Sequence, residues 1–430
     1  MITGFIALAA VLVLAFLRLP LAFSLLSVSV IGIGIELGYE SALTMISMTI
    51  SEAVFSYELA VVPLFILMGN ILSKTGISSD LFRAANAYLG HVKGGLALST
   101  MVTCAGFSAV CGSSLATAAT MSKVAYPSMK KYGYSDSLAS ASIAAGGTLG
   151  ILIPPSIILM IYGIMTQTNI GHLFVAGVIP GLLGLALYML AIYLIALVRP
   201  AHAPRGEKST SHEKLSSLKG VWPFCLLFLL IIGGIYAKIF TATEAAGMGA
   251  GFALIIALLQ RRMSKSDFKH IFLDSAFTSV MLYCVLFGAM LFAKLIAFSG
   301  LGEGLLESVE SAGLSSYALI FAILAVFLVL GCVMDSLAII LICVPLFAPI
   351  VVANGFDLIW FGIIVVVVTE IALITPPIGM NVFVLKATLP EVAFKDIFKG
   401  LLPFIGVDLV RLLLLVAFPA ITLFLVEWMG

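Results

Sequence analysis

Two adjacent prolines interrupt a long apolar segment twice in this chain, and the second interruption follows the first after 222 residues. The pairs are Pro154-Pro155 and Pro376-Pro377. Proline has no N–H to donate and clashes with the preceding turn, so each pair ends a helix inside its apolar segment. The chain therefore needs a fold that shields the freed backbone groups from lipid and exposes them only to protein or to a polar cavity.

The same offset relates other positions in the two halves. The pairs that match without a gap are Ser114 with Ser336, Ala116 with Ala338, Pro127 with Pro349, and Gly133 with Gly355. Self-similarity at a fixed spacing indicates an internal repeat. We therefore predict two structurally equivalent halves, 1–198 and 221–430, joined by the polar linker 199–220.

Composition places these halves in a membrane. Of 430 residues, 62% are hydrophobic and only 10% are charged, whereas soluble domains have about 25% charged residues. A bilayer crossing needs about 20 apolar residues. The predicted crossings are residues 2–17, 21–36, 58–73, 136–165, 173–198, 221–240, 242–259, 271–298, 357–385 and 400–427. The net charge of +1 gives no indication of a nucleic-acid partner.

Two further apolar segments, 95–128 and 315–351, are long enough to enter the membrane and return. Small or polar residues break each near its middle, at Gly112-Ser113-Ser114 and at residues 331–336. We predict that both are re-entrant hairpins whose tips stop near the midplane. The alternative is an ordinary crossing with a polar kink.

Basic residues give the orientation. When the crossings are threaded with each hairpin returning to its own side, nearly all loop Lys and Arg residues fall on one face. Examples are Lys74, Lys93, Lys123, Lys130, Lys131, Lys386, Lys395, Lys399 and the linker 199–220. The positive-inside rule makes this face cytoplasmic and puts both termini outside. We predict that the linker is a flexible connector.

Five crossings separate the two hairpin tips in this threading, so the second half is inverted relative to the first. Inverted repeats with broken helices and a midplane site are typical of secondary transporters. The predicted fold is therefore an all-α membrane protein, an inverted-repeat ion-transporter-like fold with two re-entrant hairpins and two helices broken at Pro-Pro. No P-loop motif for an ATP-driven pump and no nucleophile–base constellation for an enzyme is present.

Each helix break exposes carbonyl oxygens, which are suitable ligands for a hard cation such as sodium. The alternative is a proline kink with a purely geometric role. The hairpin tips add Ser108, Ser113 and Ser114 in the first half and Asp335 and Ser336 in the second. A serine alone can equally bond the carbonyl one turn back. A carboxylate at the bilayer centre costs about 2.5–3.5 kcal/mol on insertion scales, so Asp335 needs a partner or a wet cavity.

Three other ionisable residues lie deep in apolar segments. Asp408 and Arg411 are three residues apart, which predicts an ion pair on one helix. Glu370 lies about one turn before the second break and is a weaker functional candidate.

Motifs along most of the chain resemble the large membrane subunit of tripartite ATP-independent periplasmic (TRAP) transporters. The segments that carry the resemblance are FLRLPLAF at 16–23, PLFILMGNILSKTGIS at 63–78, CGSSLATAATMSKVAYPSMKKYGY at 111–134, GGTLGILIPPSI at 146–157, GCVMDSLAIILICVPLFAPI at 331–350 and ITPPIGMNVFV at 374–384. The resemblance implies a fold similar to divalent-anion/sodium symporters, with a mobile domain that moves as an elevator in the bacterial inner membrane.

The resemblance also implies two or more transported sodium ions, bound largely by backbone carbonyls, and no organic cofactor. One site is expected at Ser108, Ser113, Gly150 and Ile153, and the other at Gly331, Ala372, Thr375 and Ile378. Ala372 stands where the family commonly has glycine, which puts the local helix geometry in doubt. The substrate is expected between the tips, near Ser114, Ser156, Asp335 and Ser336. The implied partners are a small four-helix membrane subunit and a periplasmic substrate-binding protein, with lipid around them.

The substrate expected from the family is an organic acid. An Asp at the site repels a compact dianion, which favours a sialic-acid-type sugar acid over a C4-dicarboxylate. The alternative function is a standalone sodium/carboxylate symporter that works without a binding protein.

Overall fold

The computed structural model describes residues 1–260, 263–311, 313 and 315–429, and within them the chain is helical and has no strand. The helices of the first half are α1 (Ile2–Phe16), α2 (Leu21–Leu37), α3 (Tyr39–Val54), α4 (Val61–Lys74), α5 (Ile77–Leu89), α6 (Gly95–Cys111), α7 (Ser114–Val124), α8 (Tyr126–Lys131), α9 (Asp136–Thr148), α10 (Ile157–Thr166) and α11 (Ile170–Val198). Those of the second half are α12 (Ser211–Tyr236), α13 (Ala242–Gln260), α14 (Lys265–Phe298), α15 (Leu301–Ser311), α16 (Ser316–Gly331), α17 (Ser336–Ala353), α18 (Leu358–Ile374), α19 (Met380–Thr388), α20 (Phe394–Ala417) and α21 (Ala420–Met429). The predicted all-α fold class is confirmed.

Seven helical segments in the described part are long and apolar enough to cross a membrane. They lie at 57–74, 170–198, 211–236, 242–260, 265–298, 336–353 and 394–417. Several shorter apolar helices accompany them, among them α6, α10, α16 and α18. The chain is therefore a multi-pass membrane protein.

The helices follow one another in the same order in both halves. The pair α6–α7 precedes the broken helix α9–α10 and the long helix α11, just as α16–α17 precedes α18–α19 and α20. Each break contains a cis peptide bond between its two prolines. The 222-residue offset seen in the sequence thus relates whole helices.

The two predicted hairpins are helix–turn–helix pairs. In the first, α6 ends at Cys111 and α7 begins at Ser114. The turn residue Gly112 has φ +64°, a left-handed conformation that glycine adopts without a steric cost. In the second, α16 and α17 pack against each other across the turn at residues 332–335. The depth of the tips in a bilayer stays a prediction.

The predicted linker 199–220 is partly wrong. Its last ten residues form the first turns of α12, which begins at Ser211 rather than at residue 221. Thr210 and Glu213 form a capping box in which each side chain accepts from the other residue's backbone N–H. This Thr-x-x-Glu pattern is visible in the sequence and predicts a helix start, which the composition-based interpretation overlooked.

The helix α3 lies in a segment to which the sequence interpretation assigned no element. Its sequence mixes Glu, Ser and Thr with apolar residues, so it has too few consecutive apolar residues for a crossing. The Lys294 ammonium on α14 donates to Thr49 Oγ1 at 2.8 Å and lies 3.6 Å from the Glu52 carboxylate. These two contacts hold α3 against α14.

The repeats interlock around the two breaks. Within each half, the hairpin packs against its own broken helix: α6 and α7 on α9, and α16 and α17 on α18. The segment after each break packs against the hairpin of the other half, α10 on α17 and α19 on α7. Both tips and both breaks therefore share one helical cluster.

Candidate ion and substrate site

The first hairpin tip touches the first break without an intervening side chain. The α9 helix tightens into a 3₁₀ turn at Leu149–Ile151 before Pro154 and Pro155. A Cβ atom added to Gly150 would overlap the side chain of Ser108, which is fully buried. Two of the predicted sodium ligands, Ser108 and Gly150, are thus in direct contact.

The second half contains the equivalent tip–break contact, but the glycine and the larger residue have exchanged places between the hairpin and the broken helix. Here the glycine, Gly331, lies on the hairpin, and the larger residue, Ala372, lies on the broken helix. A Cβ added to Gly331 would overlap the Ala372 methyl group. The alanine at position 372 is therefore accommodated by the missing side chain opposite it, which answers the doubt that the sequence raised.

Hydrogen bonds made by three hydroxyl groups stabilise the first tip. The Ser108 hydroxyl donates to Thr117 Oγ1 at 2.9 Å, and Thr117 Oγ1 donates to the Ser113 carbonyl at 2.9 Å. The Ser113 Oγ accepts the Ala116 N–H at 3.3 Å. Because Ser108 donates its proton to Thr117, its oxygen lone pairs are free to face a cation. Thr117 was not among the predicted site residues, although its position one turn after the cap places it beside Ser113.

The corresponding predicted ligands in the second half lie around Thr375. The Thr375 hydroxyl donates to the Ile371 carbonyl at 2.6 Å, and its backbone N–H donates to Ala372. Ile378 follows the prolines in the turn before α19. Within the described residues, no group of three or more His, Cys, Asp or Glu side chains is placed to hold a metal ion. Carbonyl and hydroxyl oxygens are the ligands on offer here, which suits a hard monovalent cation.

A cavity of about 190 Å³ lies between the two tips. Its wall residues are Gly112, Ser113, Ser114, Leu115, Ile151, Ile157, Ile158, Leu282, Asp335, Ser336, Leu337 and Leu373. The structure therefore brings together three of the four predicted substrate residues, Ser114, Asp335 and Ser336. Ser156 does not line the cavity: its hydroxyl donates to the Ile151 carbonyl and accepts the Leu159 N–H. The apolar wall residues were not predicted, since hydrophobic side chains abound in this chain.

Three helix N-termini meet at this cavity. Its wall residues include the first residues of α7, α17 and α10. The N-terminal end of a helix carries a partial positive charge and unsatisfied N–H groups, so it attracts anions. The Ser336 hydroxyl is buried there without a hydrogen-bond partner among the described residues. Asp335 is exposed, and its carboxylate makes no capping bond to α17.

The two breaks differ in exposure. Pro154 and Pro155 are buried, whereas Pro376 and Pro377 are exposed. The helix pattern is thus duplicated, but the surroundings of the two breaks are not. In this chain the first break is enclosed by protein, and the second is not.

A buried charge cluster lies behind the breaks. Arg411 Nη2 lies 3.0 Å from Asp408 and 2.8 Å from Glu370, and all three side chains have no exposed surface. The predicted Asp408–Arg411 pair is confirmed. Glu370 was not predicted to join it, because 41 residues and a helix connection separate Glu370 from Arg411.

Residues 8–421 match the model of one protein family, described as the tripartite ATP-independent periplasmic transporter, DctM component. This match covers nearly the whole chain. The chain belongs to this family. The DctM component is the large permease subunit of such transporters, so this chain is a transporter subunit of the inner membrane and not an enzyme.

Curated relatives of this DctM-family chain carry several substrate names. A C4-dicarboxylate TRAP transporter large permease of Pseudomonas aeruginosa is 38% identical over 87% of each chain. An ectoine TRAP transporter large permease of Halomonas elongata is 33% identical, and a sialic acid TRAP transporter large permease of Vibrio cholerae is 30% identical, each over 96% of both chains.

One solved structure supports the fold. The YdaH transporter of Alcanivorax borkumensis, described as having an unusual topology, superposes with a TM-score of 0.63 over 96% of this chain and 98% of its own. The two sequences are 13% identical, so the likeness concerns the fold alone.

Proposed function

We propose that this permease imports an organic anion together with two or more sodium ions, and that the anion binds in the cavity between the tips. The observation that carries the proposal is the meeting of three helix N-termini at one cavity that is flanked by two duplicated tip–break contacts. The N-termini suit a carboxylate, and the carbonyl ends at the breaks suit cations. Substrate and cations thus occupy neighbouring sites of opposite polarity.

The proposed sodium ligands are Ser108, Ser113, Gly150 and Ile153 in the first site and Gly331, Ala372, Thr375 and Ile378 in the second. The close approach of Gly150 to Ser108, and of Ala372 to Gly331, supports this grouping, because one ion can then touch both the tip and the break. Ser114, Asp335 and Ser336 are the proposed substrate contacts. Ser156 supports the site indirectly through its bond to Ile151.

The proposed substrate is a sugar acid of the sialic-acid type. It rests on Asp335, whose carboxylate repels a second negative charge but accepts hydrogen bonds from hydroxyl groups. Relatives at similar identity are named for a C4-dicarboxylate, for ectoine and for sialic acid, so relatedness does not choose among them. The uptake rates of labelled succinate and labelled sialic acid, measured in the same vesicles, distinguish these substrates. Faster uptake of succinate would refute the sugar-acid assignment.

We propose that the permease acts with a small membrane subunit and a periplasmic binding protein. The tripartite family supports this arrangement, and one relative, an isethionate permease of Oleidesulfovibrio alaskensis, is named as a joint permease of both membrane subunits. The alternative is a symporter that needs no binding protein. Vesicles with the permease and the small subunit alone discriminate, because uptake without the binding protein would favour the alternative.

The first prediction concerns sodium. Two equivalent tip–break contacts predict that uptake into reconstituted vesicles rises with external sodium at a Hill coefficient above one. Replacing sodium with potassium or choline at fixed pH should abolish uptake. Undiminished uptake in choline would refute sodium coupling, and a Hill coefficient of one would refute the second coupled site.

We also propose that the tips and breaks move as one unit past a stationary frame. Keeping each tip with its break avoids leaving freed carbonyls uncompensated in a low-dielectric interior. The long apolar segments 173–198 and 221–240 and the linker 199–220 between them are the frame that the sequence alone suggests. The packing supports this for residues 221–240 but not for 173–198, because α11 packs on α18, α20 and the first break, whereas α12 packs on α5 and α13. We therefore place α11 in the mobile unit and α12–α14 in the frame.

A further inference from the structure

We propose that Arg411 is a positioning residue that couples the two sodium sites through Glu370. This inference rests on the sodium sites of the proposed function and assigns a role to a charge cluster outside them. Arg411 belongs to α20, which contributes no proposed ligand. The cluster nevertheless contacts both broken helices.

The connection to the second break is direct. Glu370 lies on α18 two residues before Ala372, and its Oε2 atom lies 2.8 Å from Arg411 Nη2. A buried ion pair of this kind holds a helix in one rotation, because turning it would leave a charge unpaired in a low dielectric. Arg411 therefore fixes the orientation of the helix end that carries Ala372.

The connection to the first break is made by the helix that carries Glu370. This helix, α18, packs on the 3₁₀ turn Leu149–Ile151, which contains Gly150. The second carboxylate oxygen of Glu370, Oε1, is buried without a hydrogen-bond partner among the described residues. A change in the rotation of α18 therefore alters the packing at both breaks.

One face of α11 brings Arg411 and the first break together. A Cβ added to Gly177 would lie 2.5 Å from the Leu152 carbonyl, and one added to Gly181 would lie 2.7 Å from the Ile153 side chain. One turn further on, a Cβ added to Gly184 would overlap the Arg411 guanidinium. The three glycines allow the break and the guanidinium to lie side by side on one helix.

The cluster continues to the end of α9. Tyr188, on the same face of α11, donates to Asp408, and its hydroxyl lies 3.5 Å from that of Thr148. Asp408 in turn pairs with Arg411 at 3.0 Å. The charged and titratable groups around Arg411 are thus Asp408 on α20, Glu370 on α18 and Tyr188 on α11, and Thr148 links them to the 3₁₀ turn before the first break.

Both ion pairs of Arg411 use the single nitrogen Nη2, and its Nε and Nη1 atoms have no hydrogen-bond partner among the described residues. A lysine ammonium offers one such nitrogen, so Arg411→Lys should retain coupling better than Arg411→Met does. A purely structural role for the guanidinium would make no such distinction in the sodium response.

The test is the thermal stability of the purified permease as a function of sodium concentration. A ligand that binds the folded state raises the melting temperature with a midpoint that reports its affinity. For Glu370→Gln and Arg411→Met, we expect the sodium midpoint to rise about tenfold, within the range typical of coupling between sites. The Hill coefficient should fall to one, and Arg411→Lys should lie near wild type.

Two controls make the result specific. Tyr162→Phe removes a hydrogen bond to the Leu358 carbonyl and should lower the melting temperature without changing the sodium midpoint. Gly184→Ala keeps all charges but displaces the guanidinium, so it should shift the midpoint in the same direction as Arg411→Met. If the charge variants do not fold, Gly184→Ala still tests the role of Arg411.

The outcomes separate the two proposals. A wild-type protein whose melting temperature does not change with sodium, or changes equally with potassium, would refute the sodium sites themselves. A cooperative wild-type response that Glu370→Gln, Arg411→Met and Gly184→Ala all retain unchanged would leave those sites intact and overturn the role of Arg411.

Discussion

Replacing Gly150 with alanine should abolish uptake. The added methyl group would overlap the Ser108 side chain, so the first tip and break must separate. Overpacking of a buried contact typically costs about 1–3 kcal/mol of folding stability, which a folded protein survives. The ion site, however, needs both surfaces in place. Sodium-driven uptake by vesicles should therefore fall to the level of empty vesicles while the purified variant stays monodisperse.

The second half offers a matched control for this prediction. Gly331→Ala alone should impair uptake in the same way, because its methyl group overlaps that of Ala372. Adding Ala372→Gly should restore uptake, since the pair then has one methyl group again. Normal uptake by Gly150→Ala, or failure of the double variant to recover, would contradict a tight tip–break contact in the ion sites.

Replacing Asp335 with alanine should abolish transport while the protein still folds. Asp335 faces the cavity and makes no capping bond to α17, so its loss should cost less than about 1 kcal/mol. At the predicted midplane position of the tip a carboxylate is expensive, which indicates a functional reason for its presence. Vesicle uptake and the melting temperature, measured on the same preparation, separate the two effects.

Asp335→Asn refines this prediction. It keeps the size and one acceptor oxygen but removes the negative charge. If Asp335 selects against dianions, the Asn variant should take up succinate better relative to sialic acid than the wild type does. If the Ala and Asn variants both take up substrate at the wild-type rate, Asp335 has no role in transport.

Much of the fold was predictable because a Pro-Pro pair is a reliable sequence signal for the end of a helix. Pro154-Pro155 and Pro376-Pro377 cannot continue a helix, so the two breaks and the repeat could be read directly from the chain. The tips at Gly112 and Asp335 were equally visible as polar residues in apolar segments. The structure places each of these features at the predicted element boundary.

The rest depended on contacts between distant residues. The pairing of Glu370 with Arg411 requires α18 and α20 to pack, and no spacing in the sequence encodes it. For the same reason, the sequence does not show that the glycine of the tip–break contact lies on the broken helix in the first half (Gly150) and on the hairpin in the second half (Gly331). The family resemblance placed Ser156 at the substrate site, but its hydroxyl donates to the Ile151 carbonyl instead. Local polarity identifies a side chain that needs a partner, and packing decides which partner it finds.

The most direct test of the central claim, that both tips and both breaks move as one unit, is crosslinking in a background without the native cysteines. Leu282→Cys on α14 paired with Leu337→Cys on α17 joins the proposed frame to the second hairpin across the cavity. Tyr162→Cys paired with Gly362→Cys, bridged by a short reducible bifunctional reagent, joins α10 to α18 within the proposed unit, where the Tyr162 ring packs on Gly362. We predict that the first crosslink stops sodium-driven uptake, that the second leaves it intact, and that reduction restores the first. Uptake that continues through the Leu282–Leu337 crosslink but stops on crosslinking positions 162 and 362 would contradict the claim.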